Sequence, residues 1–119
     1  MSDLRSLGKL ISEETFRVEE WEGYKAIERL LRFNGLSVQV ITFTNAPERY
    51  SLAAVYLESS VWSLGPYRVG QPAAPLVKQL GAKNFSSNAT WHFNGESESL
   101  QIEARSGKVH RIVYECYTG

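Results

Sequence analysis

The chain has 119 residues, of which 43% are hydrophobic and 22% are charged, and its 13 basic and 13 acidic side chains cancel to a formal net charge of zero. This length suits one domain with one core, and the composition excludes a globally disordered chain. Without a basic excess, the surface has no long-range field that attracts nucleic acid or an anionic membrane, so neither is an expected partner.

Cysteine usage and the N-terminal segment predict the compartment. Cys116 is the only cysteine, so no intramolecular disulfide forms, and a reducing environment fits this composition. Residues 1–11 lack the apolar stretch of a secretory signal, and no run of about 18 apolar residues provides a membrane-spanning helix. We therefore expect a soluble, cytoplasmic protein.

The first half of the chain predicts a short helix followed by strands. Ser2 or Asp3 suits the start of a helix that carries Leu4 and Leu7 near helical spacing. Residues 15–24 are interpreted as an extended segment. Asn34-Gly35 favours a type I′ hairpin turn before a strand over residues 36–44, whose apolar side chains on both faces predict a central strand covered on both sides. Another strand is expected over residues 51–58.

The second half predicts one helix and three strands. Pro72 suits the first turn of a helix whose apolar stripe stops at Gly81, a natural C-terminal cap. Strands are expected over residues 90–93, 100–104 and 109–117. The order of elements predicts an α+β fold, with an antiparallel sheet of six or seven strands and one or two helices packed on one face.

Three short phrases recur in the same order along the chain. Ser6-Leu7-Gly8 returns at Ser63-Leu64-Gly65, Arg32-Phe33-Asn34-Gly35 returns as His92-Phe93-Asn94-Gly95, and Val55-Tyr56-Leu57-Glu58 returns as Val113-Tyr114-Glu115-Cys116. The spacing between the copies is nearly constant, since positions 6, 32 and 55 recur at positions 63, 92 and 113. We interpret them as pseudo-repeats over residues 6–59 and 63–117, two halves of a single domain that share one core.

The second half also carries a family resemblance. The run YRVGQPAAPLVKQLG from Tyr67 to Gly81, followed by Trp91 and Gly107-Lys108-Val109, resembles the repeat unit of the β-lactamase-inhibitor-protein-like superfamily. That superfamily includes the small lipoprotein of the outer-membrane assembly machine, and small bacterial immunity-type proteins have related patterns. The resemblance covers residues 63–117. It implies an antiparallel fold that binds proteins and has no catalytic activity, although the leader and the disulfides of some members have no counterpart in this sequence.

Surplus aromatic residues predict the binding surface. Trp21, Tyr24, Trp62 and Tyr67 are the expected protein-binding residues, because large aromatic side chains bury much area with little loss of rotamer freedom. Glu19, Glu20 and Glu22 surround Trp21. The simplest interpretation is a solvated acidic loop, and of the two functional alternatives an acidic docking patch is favoured over paired catalytic carboxylates.

A ligand pocket is the competing hypothesis. Tyr56, His92, His110 and Tyr114 would line a pocket between helix and sheet in a small-ligand-binding protein or an enzyme. His92, His110 and Cys116 lack the spacing of a metal-ligand motif, and no nucleotide or catalytic motif is present, so no metal or cofactor is expected.

The sequence as a whole predicts a small bacterial protein of non-enzymatic type. We expect it to bind another protein, in an inhibitor-like or immunity-like manner, through a face or an edge of its sheet. A monomer or a weak homodimer is expected.

Overall fold

The computed structural model describes residues 2–116 of the chain, with side chains from Leu4 onward. In chain order its elements are α1 (Ser2–Arg5), β1 (Ser12–Trp21), β2 (Tyr24–Phe33), β3 (Leu36–Phe43), β4 (Ala46–Leu57), β5 (Ser63–Leu64), β6 (Tyr67–Arg68), α2 (Ala73–Gln79), β7 (Ala89–Asn94), β8 (Glu98–Arg105) and β9 (Lys108–Cys116). Seven strands form one antiparallel sheet in the order β1-β2-β3-β4-β9-β8-β7, and β5 pairs with β6 in a separate hairpin. The predicted α+β fold with an antiparallel sheet is confirmed.

Local turn chemistry explains the hairpins, with one correction. Ser106 and Gly107 both have positive φ, 51° and 77°, as a type I′ turn between β8 and β9 requires. At Asn34-Gly35 only the glycine has a positive φ, of 77°. The β2–β3 hairpin is therefore present, but its predicted type I′ turn is wrong.

The strands at the centre of the sheet have one buried face and one partly exposed face. Along β3, Leu36, Val38, Val40 and Thr42 are buried, while the residues between them remain partly accessible. The prediction that this strand is covered on both sides is wrong. Within residues 2–116 the helices pack on one face of the sheet only, which leaves the alternate side chains at the surface.

The core lies between the sheet and α2. Leu31, Ile102 and Ile112 are fully buried, and they cluster with Leu76 and Val77 of the helix. Because side chains alternate along each strand, Leu31, Ile102 and Ile112 reach this layer from the same side of the sheet.

Residues at both ends of α2 begin and end the helix where the sequence predicts. Pro72 precedes its first residue, and Gly81, at φ 104°, donates its N–H to the Lys78 carbonyl. The next amide, of Ala82, reaches the Val77 carbonyl. These bonds satisfy carbonyl groups that the end of a helix would otherwise leave without donors.

The N-terminal helix is shorter than its leucine spacing suggests. It ends at Arg5, and Leu7 is half-exposed. Leu4 and Leu10 nevertheless pack against the core cluster, on the same side of the sheet as α2. Neither helix of residues 2–116 is long and apolar enough to cross a membrane.

Strand order relates the two halves, whereas the recurring phrases agree with it only in part. Moving outward from the central β4–β9 pair, β3 and β2 on one side match β8 and β7 on the other. Phe33 and Phe93, before their turns, both pack on the core side. Tyr56 and Tyr114 do not correspond: Tyr114 lies opposite Val55, so it shares the core face, while Tyr56 projects from the other face. The pseudo-repeats 6–59 and 63–117 stay a prediction.

The first recurring phrase also falls at different places in the two halves. Ser6-Leu7-Gly8 follows α1, whereas Ser63-Leu64 forms β5, which precedes α2. The phrase that ends in Phe-Asn-Gly therefore matches in both strand and face, the Val-Tyr phrase lies in the matching strands β4 and β9 but on opposite faces, and the first phrase does not match.

Candidate functional site: a cleft on the open face of the sheet

The sheet has a covered face and an open face. α2, Leu4 of α1 and the β5–β6 hairpin pack on the covered face, where Leu64 and Tyr67 contact the core cluster. The open face is defined here as the opposite side of the sheet, and no helix or strand within residues 2–116 lies on it. Ala54 and Val113 on its two central strands are buried, but the neighbouring Gln39 and Tyr56 side chains are partly accessible, so this face is a candidate binding surface.

A cleft of about 400 Å³ lies on the open face where β1–β4 meet β9. Its lining consists of Glu14, Phe16, Leu30, Arg32, Ser37, Gln39, Tyr56, Glu58 and Arg111. The strand register explains why the sheet is hollow at this point. Ser37 lies between Arg32 on one neighbouring strand and Tyr56 on the other, so one small side chain separates two long ones.

Two ion pairs border the cleft. Glu14 Oε1 lies 3.6 Å from Arg32 Nε, and Glu58 Oε1 lies 3.6 Å from Arg111 Nε. All four side chains are partly solvent-exposed, so each pair adds little to stability. Their charges cancel, and they place two guanidinium groups and two carboxylates around an otherwise uncharged hollow.

Tyr56 and Arg111 contact each other within the cleft. The Arg111 guanidinium carbon lies 5.6 Å from the centre of the Tyr56 ring, within cation–π range, and the Tyr56 hydroxyl donates to Gln39 Oε1 at 3.5 Å. The Arg111 Nε–H is buried and has no hydrogen-bond acceptor among the described residues, since 3.6 Å to Glu58 is too long. The Arg111 side chain as a whole is still 36% exposed.

Two exposed aromatic side chains lie on β1, one beside the cleft and one at the end of the strand, with the Arg17–Glu19 ion pair between them. Phe16 is 53% exposed and borders the cleft, and Trp21, at the end of the same strand, is 57% exposed. Beside Trp21, the Tyr24 and Phe43 rings contact each other edge-on, with centroids 6.2 Å apart. The cleft and these aromatic side chains together make an amphipathic surface along one side of the open face.

The structure separates the four predicted binding residues into two groups. Trp21 and Tyr24 lie together at the β1–β2 turn. Trp62 instead packs against the core: its ring lies 5.9 Å from that of Phe33, and its indole N–H donates to the Asn34 carbonyl at 2.7 Å. Tyr67, on β6, also packs against the core cluster. The four residues therefore do not form one continuous surface.

The glutamates around Trp21 are not paired with each other. Glu19 forms an ion pair with Arg17, and Glu20 lies 3.4 Å from Lys25. Glu22 occupies the β1–β2 turn and is exposed. Neighbouring cations therefore neutralise much of the predicted acidic patch.

The predicted pocket of Tyr56, His92, His110 and Tyr114 is not formed. Tyr56 lies in the open-face cleft, His92 is exposed on the outermost strand β7, and Tyr114 is on the covered face. His110 is an extra residue in β9, because Arg111 pairs with Glu103 and Val109 pairs with Ala104. These side chains are dispersed because the bulge and the alternation of strands direct them to different places.

Tyr114 belongs to a separate, smaller cavity of about 270 Å³ near the C-terminal end of α2. Its hydroxyl donates to the Glu98 carboxylate, and this hydrogen bond, with a further contribution from Cys116, raises the pKa of Tyr114. Cys116 is a free, partly buried thiol on the same strand. Within residues 2–116, no three His, Cys, Asp or Glu side chains converge in a way that would hold a metal ion.

Sequence reasoning missed most of the cleft residues. Phe16, Leu30, Gln39 and Arg111 carry no motif, and Arg111 lies far from the other three along the chain. Alternation along each strand indicates which residues share a face, but the pairing of β4 with β9 brings Arg111 to Tyr56.

Comparison of the chain with protein-family models, with curated proteins and with solved structures found no match. The description of the site therefore depends on the geometry of this chain alone. It is an antiparallel sheet with helices on one side and an open, aromatic-lined face on the other.

Proposed function

We propose that this protein is a non-enzymatic binding domain that holds another protein on the open face of its sheet. The observation that carries this proposal is an uncovered sheet face whose cleft continues into exposed Phe16 and Trp21. Exposed aromatic side chains beside a cleft with charged borders match the composition of protein interfaces, in which aromatic residues and arginine are enriched.

The residue types in and beside the cleft support this proposal. Tyr, Trp and Arg dominate the binding energy of protein interfaces, and Tyr56, Trp21 and Arg111 supply one of each on the open face. The Arg111 side chain is 36% exposed, so the accessible part of its guanidinium can receive a carboxylate of the partner beside Tyr56.

The sequence resemblance of residues 63–117 supports the same class of function. Inhibitor-like and immunity-type proteins bind other proteins without catalysis, and a net charge of zero gives no field for electrostatic capture of nucleic acid. We accordingly propose a cytoplasmic, inhibitor-like or immunity-like role.

Site-specific photo-crosslinking in cells tests the proposal. A photoreactive amino acid is placed at Gln39, inside the cleft, and in a control variant at Lys78, an exposed residue on the covered side. We expect one protein to be captured repeatedly from position 39 and not from position 78. Equal capture from both positions would contradict the assignment of the open face.

The captured protein is then purified and its affinity measured by calorimetry. Tyr56→Ala and Arg111→Ala should each weaken binding by about tenfold or more, as expected for central interface residues, and Lys78→Ala should leave it unchanged. Unchanged affinity in both cleft variants, with folding intact, would refute the proposed interface.

Binding of a small ligand is a second candidate function. The specific observation is the size of the cleft, about 400 Å³, which falls within the range of ligand sites. Trp21 distinguishes the two functions because it lies outside the cleft. Trp21→Ala should weaken binding of a protein partner that covers the open face, whereas a small ligand in the cleft should bind this variant normally.

A further inference from the structure

The two edge strands of the sheet differ in how they are protected against pairing with another strand. β1 carries Glu13, Glu14, Arg17, Glu19 and Glu20, and its pairing with β2 is interrupted by a bulge at Phe16. Charges and bulges are the devices by which proteins block edge pairing. β7 has the sequence ATWHFN, with no Asp, Glu, Lys, Arg or Pro, and pairs with β8 without any register shift.

We infer that β7 is an interaction edge that pairs antiparallel with β7 of a second copy of this chain. Among residues 2–116, the backbone of β7 forms strand pairs with β8 alone, so its outer edge has no strand partner. β2 occupies the matching place in the strand order of the other half, and its outer edge is already paired with β1. The inference concerns an edge rather than the open face, so it does not rest on the proposed function.

Strand alternation restricts the register of this pairing. In a symmetric dimer whose helices all lie on the same side of the joined sheet, the two-fold axis is perpendicular to the sheet. One residue of β7 then lies directly opposite the same residue of the second copy. With the axis at Trp91, Thr90 lies opposite His92 of the second copy, and Ala89 lies opposite Phe93. This register sets a small side chain against a large one and a hydroxyl against an imidazole, and it places no like charges opposite one another.

An exposed aromatic stack at the proposed axis supports the register. Phe85 is 47% exposed and stacks on Trp91 with ring centroids 5.7 Å apart and planes 8° apart. The Trp91 indole N–H donates to the Asn84 carbonyl at 3.3 Å, which orients the ring. With Trp91 at the axis, the two stacks meet on the covered-face side and bury each other's accessible surface.

The expected dimer is weak and reversible. We expect six residues of strand and two aromatic side chains per copy to bury less than the roughly 1,200 Å² at which specific stable interfaces begin. Sedimentation equilibrium over roughly a hundredfold range of concentration should therefore show a monomer–dimer equilibrium, since association depends on mass action. A chain that stays monomeric over the whole range would overturn the inference.

Paired substitutions at exposed positions test the edge and its register. Thr90→Lys with His92→Lys puts like charges opposite each other twice, and the dissociation constant should rise about tenfold. Thr90→Lys with His92→Glu puts opposite charges at the same places and should preserve or strengthen association. Thr90 and His92 are exposed in the monomer, so both variants should fold, which circular dichroism checks.

Three outcomes of this experiment would overturn the proposal. Loss of association in the Lys/Glu variant would exclude the axis at Trp91, because an axis at His92 sets the introduced glutamates of the two copies against each other. Loss of association in a Val18→Lys control would assign the contact to β1, where Val18 is exposed. The third outcome is that the chain is monomeric and its Lys/Lys variant no longer binds the photo-crosslinked partner. In that case β7 pairs with a strand of the partner instead of with a second copy.

Discussion

Replacing Gly35 by alanine should destabilise the protein far more than an ordinary turn substitution. Gly35 has a φ of 77°, and a Cβ atom added there would lie 2.2 Å from Ser59 Cβ and 3.3 Å from Ser59 Cα. No real pair of non-bonded carbon atoms tolerates the shorter distance, so the β2–β3 turn and the segment after β4 must move apart. That movement would also strain the hydrogen bond from the Glu58 N–H to the Gly35 carbonyl, now 2.9 Å.

Three effects set the magnitude of this destabilisation. A left-handed backbone costs a residue with a Cβ about 1 kcal/mol. Overpacking typically costs about 1–3 kcal/mol, and a weakened hydrogen bond about 1 kcal/mol. We therefore expect Gly35→Ala to lower the free energy of unfolding by roughly 3–5 kcal/mol.

Gly23 provides the matched control for the backbone effect. Its φ is 87°, but an added Cβ would meet nothing within 4 Å, so Gly23→Ala should cost only about 1 kcal/mol. Urea unfolding followed by circular dichroism measures both variants. Adding Ser59→Gly to Gly35→Ala should recover about 2 kcal/mol relative to the sum of the single changes, because it removes the colliding atom. Equal stabilities of the Gly35 and Gly23 variants, or no recovery in the double variant, would refute the steric argument.

Core packing and the pKa shifts support three other predictions. Trp62→Ala should lower the free energy of unfolding by about 3 kcal/mol in urea titrations, because the indole packs on Phe33 and donates to the chain; an unchanged midpoint would contradict this packing role. The Arg5 hydrogen bond lowers the pKa of Glu13, so its contribution is present above the unfolded pKa and lost as pH falls through the folded pKa. Glu13→Gln should therefore cost about 0.2–1 kcal/mol at neutral pH, and the difference from wild type should disappear in acid unfolding experiments; a constant difference would argue against the charge effect. The hydrogen bond to Glu98 raises the pKa of Tyr114, so Tyr114 should ionise at a lower pH in Glu98→Gln than in wild type when ultraviolet titrations of each protein and of its Tyr114→Phe counterpart are compared; an unchanged difference would contradict this cause.

The elements that sequence reasoning placed correctly depend on local interactions. α2 is readable because Pro72 and Gly81 act within one turn of its ends. The β2–β3 hairpin is readable because Gly35 stands at a position that requires positive φ. The type of turn at Asn34-Gly35 was not readable, since the same dipeptide fits more than one turn and Gly35 also lies against Ser59 from a later segment.

The candidate site was predicted much less well than the fold. Trp21 and Trp62 are both tryptophans beside turns, yet one is 57% exposed and the other donates its indole N–H inside a packed contact. Composition and spacing do not distinguish these two environments. The difference depends on which segments fold over each ring, and residues distant in the chain supply those segments.

The amino-acid sequence by itself determined the helix, the strands and the hydrophobic alternation that makes one face of the sheet a core. These features follow from backbone preferences and from side-chain periods within a few residues. Only the tertiary structure decided that β4 pairs with β9, in the register that sets Tyr56 opposite Val113 and beneath the Arg111 guanidinium. The β4–β9 pairing joins the end of the first half of the chain to the end of the second half. No local signal can select a pairing between segments so distant, so the shared core selects it. The open-face cleft exists because this pairing places Arg111 beside Tyr56.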